Sequence, residues 1–210
     1  MFPGMGAPPR TRLPTDERRA QLLALGRSIF NERAYDEVSI DDIAAAAKIS
    51  KGLLYHYFPN KKQFYVEVVR AAADELIETT APVAALPPDQ RLAHGLDAYL
   101  EFVDRNARAY VTLMRSGVGT DEEVASVVEG TRKALLQRIL VDGLGMPKAR
   151  PLVRLALRGW IGLVEAVSLD WIDHRELDRA AVRALLAASL VSTLGAVAAL
   201  DPDSGLPGPP

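Results

Sequence analysis

Residues Ser39 to Lys62 read SIDDIAAAAKISKGLLYHYFPNKK, and two short helices are written into them. Ser39 with Asp42 three positions on is a capping-box start. Ile40, Ile43, Ala44 and Ala47 then keep one apolar face at helical spacing. Lys48-Ile49 interrupts the pattern, and Ser50 caps a second helix running from Lys51 to about Tyr57. Pro59 biases Phe58 away from helical geometry, so that helix stops there. Asn60, with Gln63 three residues later, opens another. Two short helices joined by a tight turn within about 20 residues form the helix-turn-helix layout, whose second helix enters a DNA major groove.

Charge placement points the same way. No acidic residue lies between Ile43 and Val66, while Lys48, Lys51, Lys61 and Lys62 are basic. Lys51 and the Lys61-Lys62 pair fall in the first turn of their helices, where the helix dipole disfavours cations. A sequence that breaks a local rule in this way usually does so for function. Free amides at a helix start already attract anions, and an added lysine makes the spot suit a phosphate. Gly52 costs about 1 kcal/mol against alanine in a helix, and it lets that end approach DNA closely.

The second helix can be read face by face. At 100° per residue Leu54 and Phe58 fall together and point inward. Gly52 and His56 lie opposite, flanked by Leu53 and Tyr55. Lys51 can donate to guanine O6 and N7, and Leu53 can touch a thymine methyl. Tyr55, His56 and Tyr57 carry donors suited to phosphate oxygens or base edges. For Tyr57, a core aromatic with a wet hydroxyl is an equal alternative.

The run SIDDIAAAAKISKGLLYHYFPNKKQFY resembles the N-terminal domain of TetR/AcrR-family transcriptional regulators over the whole motif. The resemblance implies that Ser39, Lys51, Gly52, Tyr55, His56, Tyr57 and Lys61 occupy the family's usual DNA-contact positions. Two departures stand out. Lys48 sits where the turn commonly has glycine, which implies a strained turn or a slightly different bend. Leu53 replaces the small or hydroxyl residue frequent there, so no base preference carries over to it.

Composition bounds the rest. The chain has 210 residues, 49% apolar and 25% charged, ordinary for a globular protein. The absence of cysteine excludes a disulfide framework and thiolate chemistry, and suits a reducing cytoplasm. Residues 1–70 hold 11 Lys/Arg against 8 Asp/Glu, whereas residues 81–210 hold 14 against 16. The basic surface is therefore local. Residues 1–14, rich in Pro and Gly, read as a disordered tail with Arg10 and Arg12 near phosphates; they lack the apolar core of a signal peptide. Residues 201–210 read as a second unstructured tail.

The periodicity elsewhere is helical, with no strand signal, so the expected fold is all-α. Thr15 caps a first helix whose inward stripe is Leu22, Leu25, Ile29 and Phe30, completing a helix-turn-helix domain over residues 15–60. Arg18 and Arg19 on it are candidate backbone contacts, with plain solvation the default. The next helix, residues 61–80, carries Phe64, Val68, Ala71, Ala72 and Leu76 beyond any compact three-helix core, and reads as a rod between two domains. Pro82, Pro87 and Pro88 then break the chain. A helical domain over residues 81–200 follows: a helix from Asp89, an apolar stretch Tyr110–Met114, a turn SGVGTDEE, a helix capped by Asp121, and two apolar helices over about 150–174 and 177–200.

Those last helices are rich in small residues, including Gly159, Gly162, Ala184, Ala188 and Gly195. A helix apolar on nearly all sides must be covered on nearly all sides. They are expected to pair with a second copy in a four-helix dimer interface, as the resemblance also implies. The charge-free run from Ala184 to Leu200 is short for a membrane span, and no membrane partner is expected.

The resemblance also implies a small-molecule effector held in the second domain, and the lining suggests an apolar or aromatic one. Tyr99, Phe102, Tyr110, Met114, Trp160, Val164 and Trp171 are the candidate wall, with plain core packing the default for any single one of them. Glu165 and Arg158 are polar candidates in an apolar helix. The expected function is a homodimeric repressor released from a palindromic operator by that effector. The alternative is a ligand-independent regulator or activator whose second domain is filled. No catalytic, cofactor or metal site is expected. His56, His94 and His174 are far apart, and the group Asp170, Asp173, His174, Glu176 reads as a solvated helix end.

Overall fold

The computed structural model describes residues 15–115 and 121–206, and these form helices and turns without a strand among the described residues. The tail expected over residues 1–14 and part of the SGVGTDEE turn lie outside them. The helices are α1 (Thr15–Glu32), α2 (Ile40–Ala46), α3 (Lys51–Tyr57), α4 (Lys61–Thr79), α5 (Pro88–Arg105), α6 (Ala107–Arg115), α7 (Glu122–Arg138), α8 (Pro151–His174) and α9 (Arg179–Leu200).

Local chemistry sets the boundaries around α2, α3 and α4. Ser39 Oγ accepts from the Asp42 amide at 3.1 Å while Asp42 Oδ2 accepts from the Ser39 amide at 2.9 Å, closing the capping box. Ser50 caps α3 by accepting from Leu53, and Asn60 caps α4 by accepting from Gln63. The turn after α2 is of the strained kind. Lys48 stands at φ 53°, in the left-handed region that costs a residue with a Cβ about 1–2 kcal/mol. It persists because two backbone bonds need it there: Lys48 N–H donates to Ala45 and Ile49 N–H to Ala44, both at 3.1 Å. Ile49 then packs against the core.

Two apolar cores share α4. The first gathers Leu22, Phe30, Ile43, Leu54, Phe58 and Phe64, with Leu54 and Phe58 inward as their spacing predicts. The second gathers Leu100, Val103, Val153, Leu157 and Leu186 around Leu76. Phe64, Tyr65, Val66, Val68 and Val69 of α4 belong to the first core and Leu76 to the second. One feature escapes local reading: Val124 of α7, 1% exposed, is buried in the first core, with Leu113 of α6 and Val127 packed beside it. The helix-turn-helix core, the expected reading head, is thus closed by helices from the other half of the chain.

Helix α7 ends in a π turn, Ile139–Gly143, and α8 ends on Arg175 in the left-handed conformation at φ 55°. Pro202–Ser204, expected to be unstructured, form a 3-10 turn instead. Ser204 is buried and Leu206 packs on the second core, which gives this short segment enough apolar cover to order it.

Candidate functional site

Helix α3 turns Leu54 inward and leaves Lys51, Gly52, Leu53, Tyr55 and His56 exposed, so these five share the outer face. A Cβ at Gly52 would meet no atom within 4 Å; the protomer itself does not require glycine there. Tyr57 is half-buried and packs against the first core, with its ring 5.5 Å from that of His56. Ser39 is exposed, its hydroxyl engaged in the cap of α2.

The lysines are less free than the sequence suggests. Lys51 Nζ lies 3.0 Å from Asp41, which holds its ammonium above the usual lysine range. Lys61 Nζ donates to the Tyr35 carbonyl at 2.8 Å and sits 4.0 Å from the centre of the Tyr35 ring. Lys62 faces α7, 3.0 Å from Asp121 and 2.8 Å from Glu123. Arg19 pairs with Glu67 at 2.8 Å, and Arg18 donates to Gln21. An exposed pair such as Lys51–Asp41 is weak and exchanges readily for another anion. The face therefore keeps its cationic character toward a phosphate backbone.

A cavity of about 430 Å³ lies under this head, lined chiefly by α4, α5, α6, α7, α8 and α9. Six of the seven expected wall residues border it: Tyr99, Phe102, Tyr110, Met114, Trp160 and Val164. Trp171 does not. Its indole N–H donates to the Leu177 carbonyl at 2.8 Å, and Arg175 covers its ring at 5.0 Å. The left-handed turn at Arg175 folds the chain back onto that tryptophan and uses it to close the end of α8.

Polar groups interrupt an otherwise apolar wall. Arg132 Nε and Nη2 each lie 2.8 Å from one oxygen of Glu165, a bidentate pair. Arg158 does not border the cavity and pairs with Glu129 at 3.0 Å. The hydroxyls of Tyr99 and Tyr110 are 2.8 Å apart. Burial pushes the Tyr99 phenol up to about 12 and the Tyr110 phenol up as well, so both stay protonated at neutral pH. Val68, Val69, Ala72 and Leu76 of α4 line the same cavity. At the other end of the body, Asp173 is taken by Arg115 at 2.7 Å, while His174 is exposed beside Asp170.

Comparison with known proteins places both halves. Residues 22–68 match the family model described as bacterial regulatory proteins, tetR family, and residues 88–193 match that of the tetracyclin repressor-like C-terminal domain. The chain belongs to the TetR family. The HTH-type transcriptional activator FasR of Mycolicibacterium smegmatis is 31% identical over 180 residues, 80% of this chain and 78% of that protein. The HTH-type transcriptional repressor KstR2 of Rhodococcus jostii is 35% identical over 162 residues, 77% of this chain and 70% of that protein. A TetR-family transcriptional regulator from Streptomyces coelicolor shares the fold at a TM-score of 0.84 and 33% identity, covering 92% of this chain and 87% of that one.

This TetR-family chain is a DNA-binding transcriptional regulator of all-α fold. Its relatives include activators and repressors. What single-sequence reading missed lies on α7. Val124 enters the head core, Asp121 and Glu123 hold Lys62, and Arg132 meets Glu165 on the cavity wall. The available signal was the acidic start of α7 matched against the uncompensated lysines of α4, with nothing local to join them.

Proposed function

We propose that the protein is a homodimeric, cytoplasmic regulator that reads a palindromic operator with α3, and that a small apolar effector in the cavity releases it. One observation carries the reading: α4 is a single helix whose first turns belong to the reading head and whose later turns line the cavity. A ligand that prefers one setting of α4 shifts the population of DNA-competent dimers. A coupling of about 1–3 kcal/mol changes operator affinity roughly 5- to 150-fold. The open cavity favours this over a ligand-independent regulator with a filled second domain. Residues Lys51, Gly52, Leu53, Tyr55 and His56 make the base and phosphate contacts, with Ser39, Tyr57 and Lys61 at the margin.

The dimer face is that of α8 and α9. Leu155, Leu163, Leu185 and Val191 are 40–67% exposed in the protomer. Only 22% of the most apolar window of α9 is buried, although that helix is long and apolar enough by composition to cross a membrane. A Cβ at Gly159, Gly162 or Gly195 would meet nothing within 4 Å. Small residues that the protomer does not need are what close helix–helix approach to a second copy requires.

The test is fluorescence anisotropy on a labelled duplex enriched from a random pool, titrated with apolar compounds that bind the protein. Release of the duplex supports the proposal. Tighter binding in the compound's presence instead reverses the sign and supports an activator, a role that the name of the relative FasR carries. No change with any bound compound removes the coupling.

A further inference from the structure

Residues 15–80 hide nearly all of their large apolar side chains. Only Leu53 and Tyr55 are exposed, at 40% and 42%, and the others are buried or half-buried. A single exposed aliphatic residue is ordinary on a protein surface. This one is set apart by its place. It follows Gly52, where a Cβ would meet nothing within 4 Å, on the outward side of the helix that turns Leu54 into the core.

The two exposed side chains have different neighbours. At about 100° per residue, they fall on opposite flanks of a face centred on Gly52 and His56. The Tyr55 flank carries Lys51, whose Nζ lies 3.0 Å from Asp41. No charged side chain of α3 lies on the Leu53 flank, where the next residue around the helix is Tyr57, half-buried against the first core. The Leu53 amide is spent on the cap of α3, donating to Ser50 Oγ at 3.2 Å. Leu53 therefore has no hydrogen to give a phosphate or a base edge. What it offers is apolar contact, and the apolar group that the major groove displays is the C5-methyl of thymine. Leu53 is also the third residue of α3, and the N-terminal residues of a recognition helix are the ones that reach base edges.

We propose that Leu53 is a specificity-determining residue that reads the C5-methyl group of one thymine in each operator half-site. The proposal rests on α3 being the reading helix. Packing the leucine on that methyl removes two apolar surfaces from water at once. Cytosine at the same place lacks the methyl and turns its N4 donor toward a side chain that cannot accept, leaving a desolvated donor unpaired. The preference thus combines a gain for thymine with a penalty for its competitor.

The test uses the full-length protein and a labelled duplex enriched from a random pool, read by fluorescence anisotropy. Each thymine is replaced in turn by deoxyuridine, which keeps every hydrogen-bonding group and lacks only the methyl. At one position per half-site the wild type is expected to bind about fourfold more weakly, the worth of one buried methyl-sized group, and about fifteenfold when both half-sites are changed. Leu53→Ala should keep its helicity, lose a similar factor on the thymine duplex, and become indifferent to deoxyuridine at that position alone. A wild type that tolerates deoxyuridine everywhere, an enriched half-site without thymine, or an equal deoxyuridine penalty in Leu53→Ala overturns the assignment. In those cases α3 still reads DNA provided that Lys51→Ala or Tyr55→Ala weakens binding. If Lys51→Ala, Leu53→Ala and Tyr55→Ala all hold the enriched duplex as tightly as wild type, the reading of α3 falls with it.

Discussion

Lys62 Nζ lies 3.0 Å from Asp121 Oδ2, fastening the start of α4 to the cap of α7. Glu123 adds a second carboxylate at 2.8 Å, and Asp121 Oδ1 meanwhile accepts from the Glu123 amide. The cap of one helix is thus also the counter-ion of another. Since Val127, Val128, Thr131, Arg132 and Leu135 of α7 line the cavity, this helix borders the cavity along its middle and packs on the helix-turn-helix core at its start.

Removing that tie should loosen the head rather than unfold it. In Lys62→Gln, amide exchange over the first turn of α7, Glu122 to Ala125, is expected to speed up, and effector-driven release to weaken. Lys62 holds the Asp121 carboxyl below its ordinary 3.8. A carboxyl lowered by folding contributes stability above its unfolded value and loses it as pH falls through the folded one. The exchange difference between Lys62→Gln and wild type should therefore persist at pH 5–8 and shrink only below about 4. Identical exchange in the two proteins at pH 7 would show that the pair carries no constraint.

Lys48→Gly should stabilise the head. The left-handed φ of 53° costs lysine about 1–2 kcal/mol. Glycine removes that cost but gives back part of it through a freer unfolded chain, leaving a net gain of about 0.5–1 kcal/mol. Urea unfolding should show a higher midpoint at unchanged slope. A lower midpoint would mean that the lysine side chain contributes more here than its backbone costs.

The α8–α9 face predicts a dimer that charge can break. Leu163→Glu with Leu185→Glu places carboxylates on surface that is 40% and 54% exposed in the protomer, so the protomer fold should survive. Sedimentation velocity should report a dimer for wild type and a monomer for the double variant. Affinity for a two-half-site duplex should then fall to near non-specific values, about 10³-fold weaker or more. A double variant that stays dimeric puts the interface elsewhere.

Alkaline titration probes the cavity wall. Folding raises the Tyr99 phenol from 10.0 to about 12 and the Tyr65 phenol likewise to about 12. A group raised by folding gives its full contribution below the unfolded value, here pH 10, and loses it as pH climbs through the folded one, near 12. Absorbance at 295 nm should show Tyr65, Tyr99 and Tyr110 among the six tyrosines ionising late, together with loss of helicity. Uniform ionisation near pH 10 in a still-helical protein would contradict the buried pair.

How much of this was legible depended on how far apart the partners stand in the chain. The caps at Ser39, Ser50 and Asn60 were readable because each bonds three residues on. So was the inward Leu54-Phe58 pair, set by one helical turn. Lys48 could be flagged as a misfit in its turn, while the geometry decided which kind of misfit. The destinations of Lys61 and Lys62 were not readable: sequence shows a cation, and only the fold supplies the Tyr35 ring or the α7 carboxylates. Trp171 was placed with the cavity as one more large aromatic residue of the second domain. The chain reversal after His174, invisible to periodicity, takes its indole away.

Enrichment of duplexes from a random pool, followed by footprinting, bears most directly on the claim that two copies of α3 read DNA together. The account predicts an inverted repeat protected over two adjacent major-groove segments on one face of the duplex, abolished by Tyr55→Ala with Lys51→Ala. Binding at low ionic strength that enriches no sequence, or an enriched site that the double variant still holds as tightly, would contradict it.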